Sequence, residues 1–166
     1  MKQRLSLLLA ATLLLPACQL QPIYAGGGSG AVATALHNVE VAQIDNRSGW
    51  LVRQALIDRL GTPQGTPAYR LQVRLDDSIK GFGIRTDDAI TRERRTLRAR
   101  YQLVDATGGS VVLDATAGSD AGIDVTTSEY ATIAAEQTAL ERLSVEVANQ
   151  IATRVALYLR SQNKRQ

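Results

Sequence analysis

Tyr69-Arg70-Leu71-Gln72-Val73-Arg74-Leu75-Asp76 alternates an apolar residue with a polar one over eight positions. Side chains of an extended chain point to opposite sides with a period of two, so this stretch predicts a strand buried on one face and wet on the other. Leu97, Ala99, Tyr101 and Leu103 repeat the pattern against Thr96, Arg98, Arg100 and Gln102. Asp105-Ala106-Thr107-Gly108-Gly109 then reads as a turn into a further strand, with Val111, Leu113 and Ala115 inward. Upstream, Leu36 to Ile44 is apolar and β-branched enough for a strand, punctuated by Asp45-Asn46-Arg47-Ser48-Gly49.

Two segments carry helical spacing instead. Leu51, Val52, Ala55, Leu56 and Leu60 recur at three and four residues, with Ser48 as a candidate cap, Gly61 as the stop and Pro63 beyond it. Leu140, Leu143, Val147, Ile151, Val155 and Tyr158 make one stripe of a helix from about Tyr130 to Leu159, and Thr126 with Glu129 resembles a capping box for its start. A strand, a helix, three strands joined by turns and a long helix predict an α+β two-layer sandwich. Both helices then pack on one face of a four-stranded β-sheet.

The N-terminus reads differently. Met1 to Arg4 is short and basic, Leu5 to Leu15 is apolar, and Pro16-Ala17 closes the run before Cys18. A membrane-spanning helix needs roughly 20 apolar residues, so the layout is that of a cleaved secretory signal over 1–17. Leu15-Pro16-Ala17-Cys18 resembles the lipobox of bacterial lipoproteins, with Pro16 the less usual element. That resemblance implies lipidation of Cys18 and cleavage before it, and two or more acyl chains suffice for stable anchoring. Gln19, where Asp favours inner-membrane retention, points to the outer membrane. The plainer alternative is a secreted protein in which Cys18 is incidental. Residues 18–35 form the lipidated start and a flexible linker around Gly26-Gly27-Gly28-Ser29-Gly30, residues 36–160 the folded domain, and residues 161–166 a polar tail.

Charge and composition narrow the function. The formal net charge of +3 includes Lys2 and Arg4; of 19 basic residues, 17 remain without them, against 16 acidic. No global basic field is left, and nucleic acid is not an expected partner. A single cysteine excludes an internal disulfide and a cysteine zinc cluster, and His37 is the sole histidine. With no G-x-S-x-G elbow and no phosphate loop, the chain reads as a non-enzyme without metal or cofactor.

Grouped charge remains. Helices on one face of the sheet leave the other to Arg70, Arg74, Arg94, Arg98 and Arg100, five guanidinium groups suited to bidentate contact with phosphate. They equally fit a solvated face salt-bridged to Asp76, Asp114 and Glu93, or a device against edge pairing. The segment from Asp77 to Arg92 reads as a long connection with Gly81-Phe82-Gly83 at its middle, either a docking hairpin or a loose loop. Trp50, at the start of a helix, is expected in the core, with an interface anchor as its alternative.

Gln19-Leu20-Gln21-Pro22-Ile23-Tyr24 directly after Cys18, then Gly83-Ile84-Arg85, Thr91-Arg92, Ala99-Arg100-Tyr101-Gln102-Leu103 and Ser128-Glu129-Tyr130-Ala131-Thr132, resemble segments of the LPS-assembly lipoprotein family LptE in the same order. The similarity is to its alphaproteobacterial form; Pro22 and Tyr24 match its post-cysteine pattern, and Gln19 and Leu20 depart from it. The resemblance implies two helices against a four-stranded sheet, and a chain that plugs and helps assemble the LptD β-barrel and binds lipopolysaccharide. It assigns no binding residue position by position. An auxiliary lipoprotein of an envelope ABC transport system is the competing expectation.

Overall fold

The structure, a computed structural model, describes residues 35–84 and 90–163. The expected signal segment, Cys18, the glycine-rich linker through residue 34 and the last three residues lie outside the described residues. In chain order the elements are β1 (Val39–Val41), α1 (Asn46–Leu60), β2 (Tyr69–Ile84), β3 (Ile90–Asp105), β4 (Val111–Asp124) and α2 (Glu129–Asn163). The sheet runs β1-β2-β3-β4, with β1 parallel to β2 and the rest antiparallel. It is the α+β two-layer fold that the alternation predicts.

The strand expected over Leu36–Ile44 shrinks to three residues, because only Val39–Val41 lie opposite β2, at Tyr69–Leu71. Leu36 and Ile44 are buried without belonging to the ladder. At α1 the first helical residue is Asn46, at φ 68°, a conformation asparagine tolerates better than most. Asp45 is the N-cap and makes no side-chain capping bond, while Ser48, the expected cap, lies buried inside the helix. Trp50 stands 59% exposed rather than in the core, since Val52, Ala55, Leu56 and Leu60 carry the buried stripe.

The segment from Asp77 to Arg92 is largely strand rather than connection. The β2–β3 ladder continues through Asp77↔Leu97, Lys80↔Arg94 and Phe82↔Arg92 to Ile84↔Ile90. Its glycines and aspartates suggested a turn because, read locally, they break strands; the ladder and an ion pair to Asp77 override that preference. Gly83 adopts φ +79°, and its carbonyl accepts a bond from Thr91 Oγ1 at 2.9 Å.

Inward positions carry the core. Leu71, Leu97, Ala99, Tyr101 and Leu103 are buried beneath Leu143, Val147, Ile151 and Val155 of α2 and Val52, Leu56 and Leu60 of α1. Each such side chain contributes about 1.5–3 kcal/mol on burial. Val111, expected inward, is 50% exposed: the register shifts between Leu103 and Val104, pairing Val111 with outward Val104. Ser128, rather than Thr126, caps α2, its hydroxyl accepting the Ala131 N–H at 3.4 Å. The helix runs past Leu159 to Asn163, into the expected tail.

Gly61 ends α1 at φ +80°, its N–H donating to the Ile57 carbonyl at 2.8 Å. A Cβ there would sit 2.2 Å from Cδ2 of His37, so the site forbids a side chain on two grounds. Replacing Gly61 by Ala is expected to lower stability by about 1–2 kcal/mol or more in urea unfolding. Gly65→Ala, where a Cβ meets nothing within 4 Å, should stay within about 0.5 kcal/mol.

Candidate functional site

The helix-free face of the sheet collects the even-numbered side chains of β2, β3 and β4. Register places Arg74 opposite Arg100, Asp76 opposite Arg98, and Lys80 opposite Arg94. On the β4 side Arg100 lies opposite Thr116 and Arg98 opposite Gly118. The five arginines expected on one face do share it, and Arg92 and Lys80 join them. Against these cations stand Glu40, Asp76, Asp114, Asp120 and Asp124.

Register decides which guanidinium groups are satisfied. Arg70 Nε meets Glu40 Oε2 at 3.1 Å, and Arg92 meets Asp124 at 3.2 Å. Arg94 lies 3.8 Å from Asp120 and over the Phe82 ring at 5.4 Å to its centroid. Arg100 holds Asp114 with two nitrogens, at 3.3 and 2.9 Å, while the Gln102 amide donates to the same carboxylate at 2.8 Å. The Arg100 and Gln102 hydrogen bonds keep the Asp114 carboxyl below its ordinary range. Among the described residues no hydrogen bond or ion pair engages Arg74 or Arg98. Glu93, one of the acids expected to neutralise this face, is odd-numbered and turns to the other side.

Arg74, Arg98 and Arg100 therefore border a shallow depression of about 500 Å³, with Asp76, Thr116 and Gly118 among its walls. Gly118 makes room for it: a Cβ would lie 3.3 Å from Arg98 Cγ and 3.2 Å from the Leu97 carbonyl. Exposed ion pairs are worth about 0–1 kcal/mol, so Arg100, 68% exposed, is held to Asp114 only lightly. A phosphorylated ligand would find two unneutralised guanidinium groups and a third that exchanges partners cheaply. Among the described residues no cluster of histidine, cysteine and acidic side chains could hold a metal.

A second polar group, on the inward face, escaped sequence reading because its partners lie far apart in the chain. Arg95 grips Asp77 through two bonds of 2.8 and 2.7 Å, and its third nitrogen donates to the Glu136 carbonyl of α2 at 3.1 Å. These side chains are only 13% and 19% exposed, so the pair fastens β2, β3 and the start of α2 where apolar cover thins. Beside it Glu93 Oε2 is buried with no donor among the described residues. Burial first, then the Glu136 carboxylate, push the Glu93 carboxyl above its ordinary range.

A family model described as LptE, Lipopolysaccharide-assembly, matches residues 36–155. Among solved structures the chain is similar to a protein from Caulobacter crescentus CB15 described as a lipoprotein, with 29% identity, TM-score 0.64, and 80% of this chain and 98% of that one covered. It also shares its fold with rare lipoprotein B from Shewanella oneidensis, at 8% identity and TM-score 0.59, covering 75% and 96%. Lipoprotein B from Nitrosomonas europaea is similar at 11% identity and TM-score 0.58, covering 72% and 82%. Among curated proteins nothing matches the chain.

The raised Glu93 sets a direction for pH dependence. A carboxyl whose folded-state pKa lies above its unfolded value supports the fold below the unfolded pKa, and that support is lost as pH rises through the folded one. Glu93→Gln should raise the melting temperature by a few degrees at neutral pH, the gain over the parent shrinking as acid protonates Glu93. Thermal melts followed by circular dichroism between pH 4 and 8, at about one-unit steps, would check this.

Proposed function

The chain belongs to the LptE family of lipopolysaccharide-assembly proteins, and from that premise we propose that it partners an LptD-type outer-membrane β-barrel as plug and assembly factor, binding lipopolysaccharide during delivery to the outer leaflet. The observation that carries the lipid-binding part is the pair of unneutralised guanidinium groups, Arg74 and Arg98, beside weakly engaged Arg100 in an open depression. Guanidinium binds phosphate through two parallel N–H bonds, and a phosphorylated glycolipid offers several such groups. Of the five arginines of this face, Arg70 and Arg94 act as the outer members of the field, each lying beside a carboxylate. Anchoring by acyl chains on Cys18, after removal of 1–17, holds the domain on the periplasmic side of the outer membrane.

Two measurements test the reading. Reversing charge at Arg74 and Arg98 together is expected to weaken binding of purified lipopolysaccharide by about tenfold or more, with a shallower dependence on salt. Binding equal to the parent would overturn the assignment of this face, provided circular dichroism shows the same fold. Intact mass of the membrane-extracted protein should give a chain beginning at Cys18 and carrying acyl groups; an unmodified thiol there would overturn the anchor.

A further inference from the structure

The two free edges of the sheet are treated unequally. On β4 the Gln150 side chain of α2 accepts the Gly118 N–H and donates to the Gly118 carbonyl, both at 3.2 Å, in the manner of a neighbouring strand. On the other side β1 covers only Tyr69–Leu71 of the sixteen-residue β2. Tyr69 N–H donates to the Asn38 carbonyl at 3.1 Å and the Leu71 carbonyl accepts from Ala42 at 3.0 Å, so odd-numbered residues face this edge. Alternation carries the direction on to Val73, Leu75, Asp77 and Ile79, whose edge-facing N–H and C=O groups have no backbone partner among the described residues.

An open edge usually carries proline, a bulge or an inward charge against unwanted pairing. β2 has no proline, its ladder to β3 is unbroken from Tyr69 to Phe82, and its inward charge, Asp77, is neutralised by Arg95. Where β1 ends, the chain bends away and its slot beside β2 continues as a cleft of about 640 Å³. The cleft is lined by Ile44, Asp45, Val73, Arg74, Leu75 and Asp76, among others. Asp45 and Asp76 are exposed and unpaired among the described residues, and Arg74 is shared with the basic depression.

We propose that this edge of β2 receives a single extended segment of the partner protein by strand addition, basic residues toward Asp45 and Asp76 alternating with apolar ones toward Ile44 and Leu75. Backbone bonds to Val73, Leu75, Asp77 and Ile79 supply the affinity, and the carboxylates supply the choice. A cleft closed on one side by residues 43–46 and 48 admits one extended chain more readily than the whole sheet of a second copy. The inference rests on the partner reading above, and names where on this chain the partner lies.

The test uses the full-length lipoprotein extracted from its own membranes, with co-purified β-barrel as the readout. Ile79→Pro removes an edge-facing N–H and leaves the β2–β3 ladder intact, whereas Gly122→Pro, outside the basic depression and at a position where a Cβ meets nothing within 4 Å, does the same on the β4 edge. Recovery of the barrel is expected to fall about tenfold with I79P and to hold with G122P. Barrel recovery by I79P equal to the parent overturns the edge assignment alone; a parent that recovers no barrel overturns the partner reading with it. If circular dichroism shows I79P unfolded, Asp76→Arg replaces it, with the same expected loss and the same overturning result. A photo-crosslinking residue at position 79 should join the barrel chain, and an adduct with a second copy overturns the named occupant.

Discussion

The rest of the structure depends on burial of one apolar stripe of α2 against the inward side chains of β3 and the buried stripe of α1. Leu143, Val147, Ile151 and Val155 meet a layer in which Leu97, Tyr101 and Leu103 are almost wholly hidden from water. Both helices must lie on the same side for that contact to form. The opposite side is thereby left to solvent, and every outward residue of three strands becomes available for charge. The basic face is first of all a by-product of the packing.

That apolar contact does not extend along the whole molecule. Toward the hairpin tip α2 has few buried side chains before Ala139, and Tyr130 and Ile133 stand exposed. There Arg95 and Asp77 take over, an ion pair whose partners remain shielded enough to interact strongly yet whose separation would leave charges in a partly dry layer. The neighbouring Glu93 and Glu136 add two carboxylates with no cation of their own among the described residues. One end of the domain is held by oil-like contacts and the other by a few polar ones.

Alternation and helical spacing made the two-layer architecture legible, because a period of two or 3.6 depends only on which residues meet water. What escaped depended on neighbours remote in the chain. Asp77, Ser78 and Gly81 resemble a turn until Leu97, Thr96 and Glu93 are placed opposite them. Val111 reads as inward until the shift beside Leu103 is known. The arginines of the outer face were legible as a group, since alternation alone puts them together. Their division was not: pairing of Arg100 with Asp114, and the lack of any partner for Arg98 among the described residues, follow from a cross-strand register that no local pattern encodes. Trp50 looked like core because large aromatic side chains commonly are, and the stripe of α1 passes it by.

The dimensions of the elements carry one more consequence. A helix of 35 residues rises about 52 Å at about 1.5 Å per residue, and the sixteen residues of β2 or β3 reach at most about 53 Å. Helix and hairpin are thus matched in span, with α2 packed against β3 and β4. A rod of that length exceeds the roughly 30 Å of hydrocarbon in a bilayer. Any enclosing layer of that thickness would therefore leave both ends of the rod uncovered.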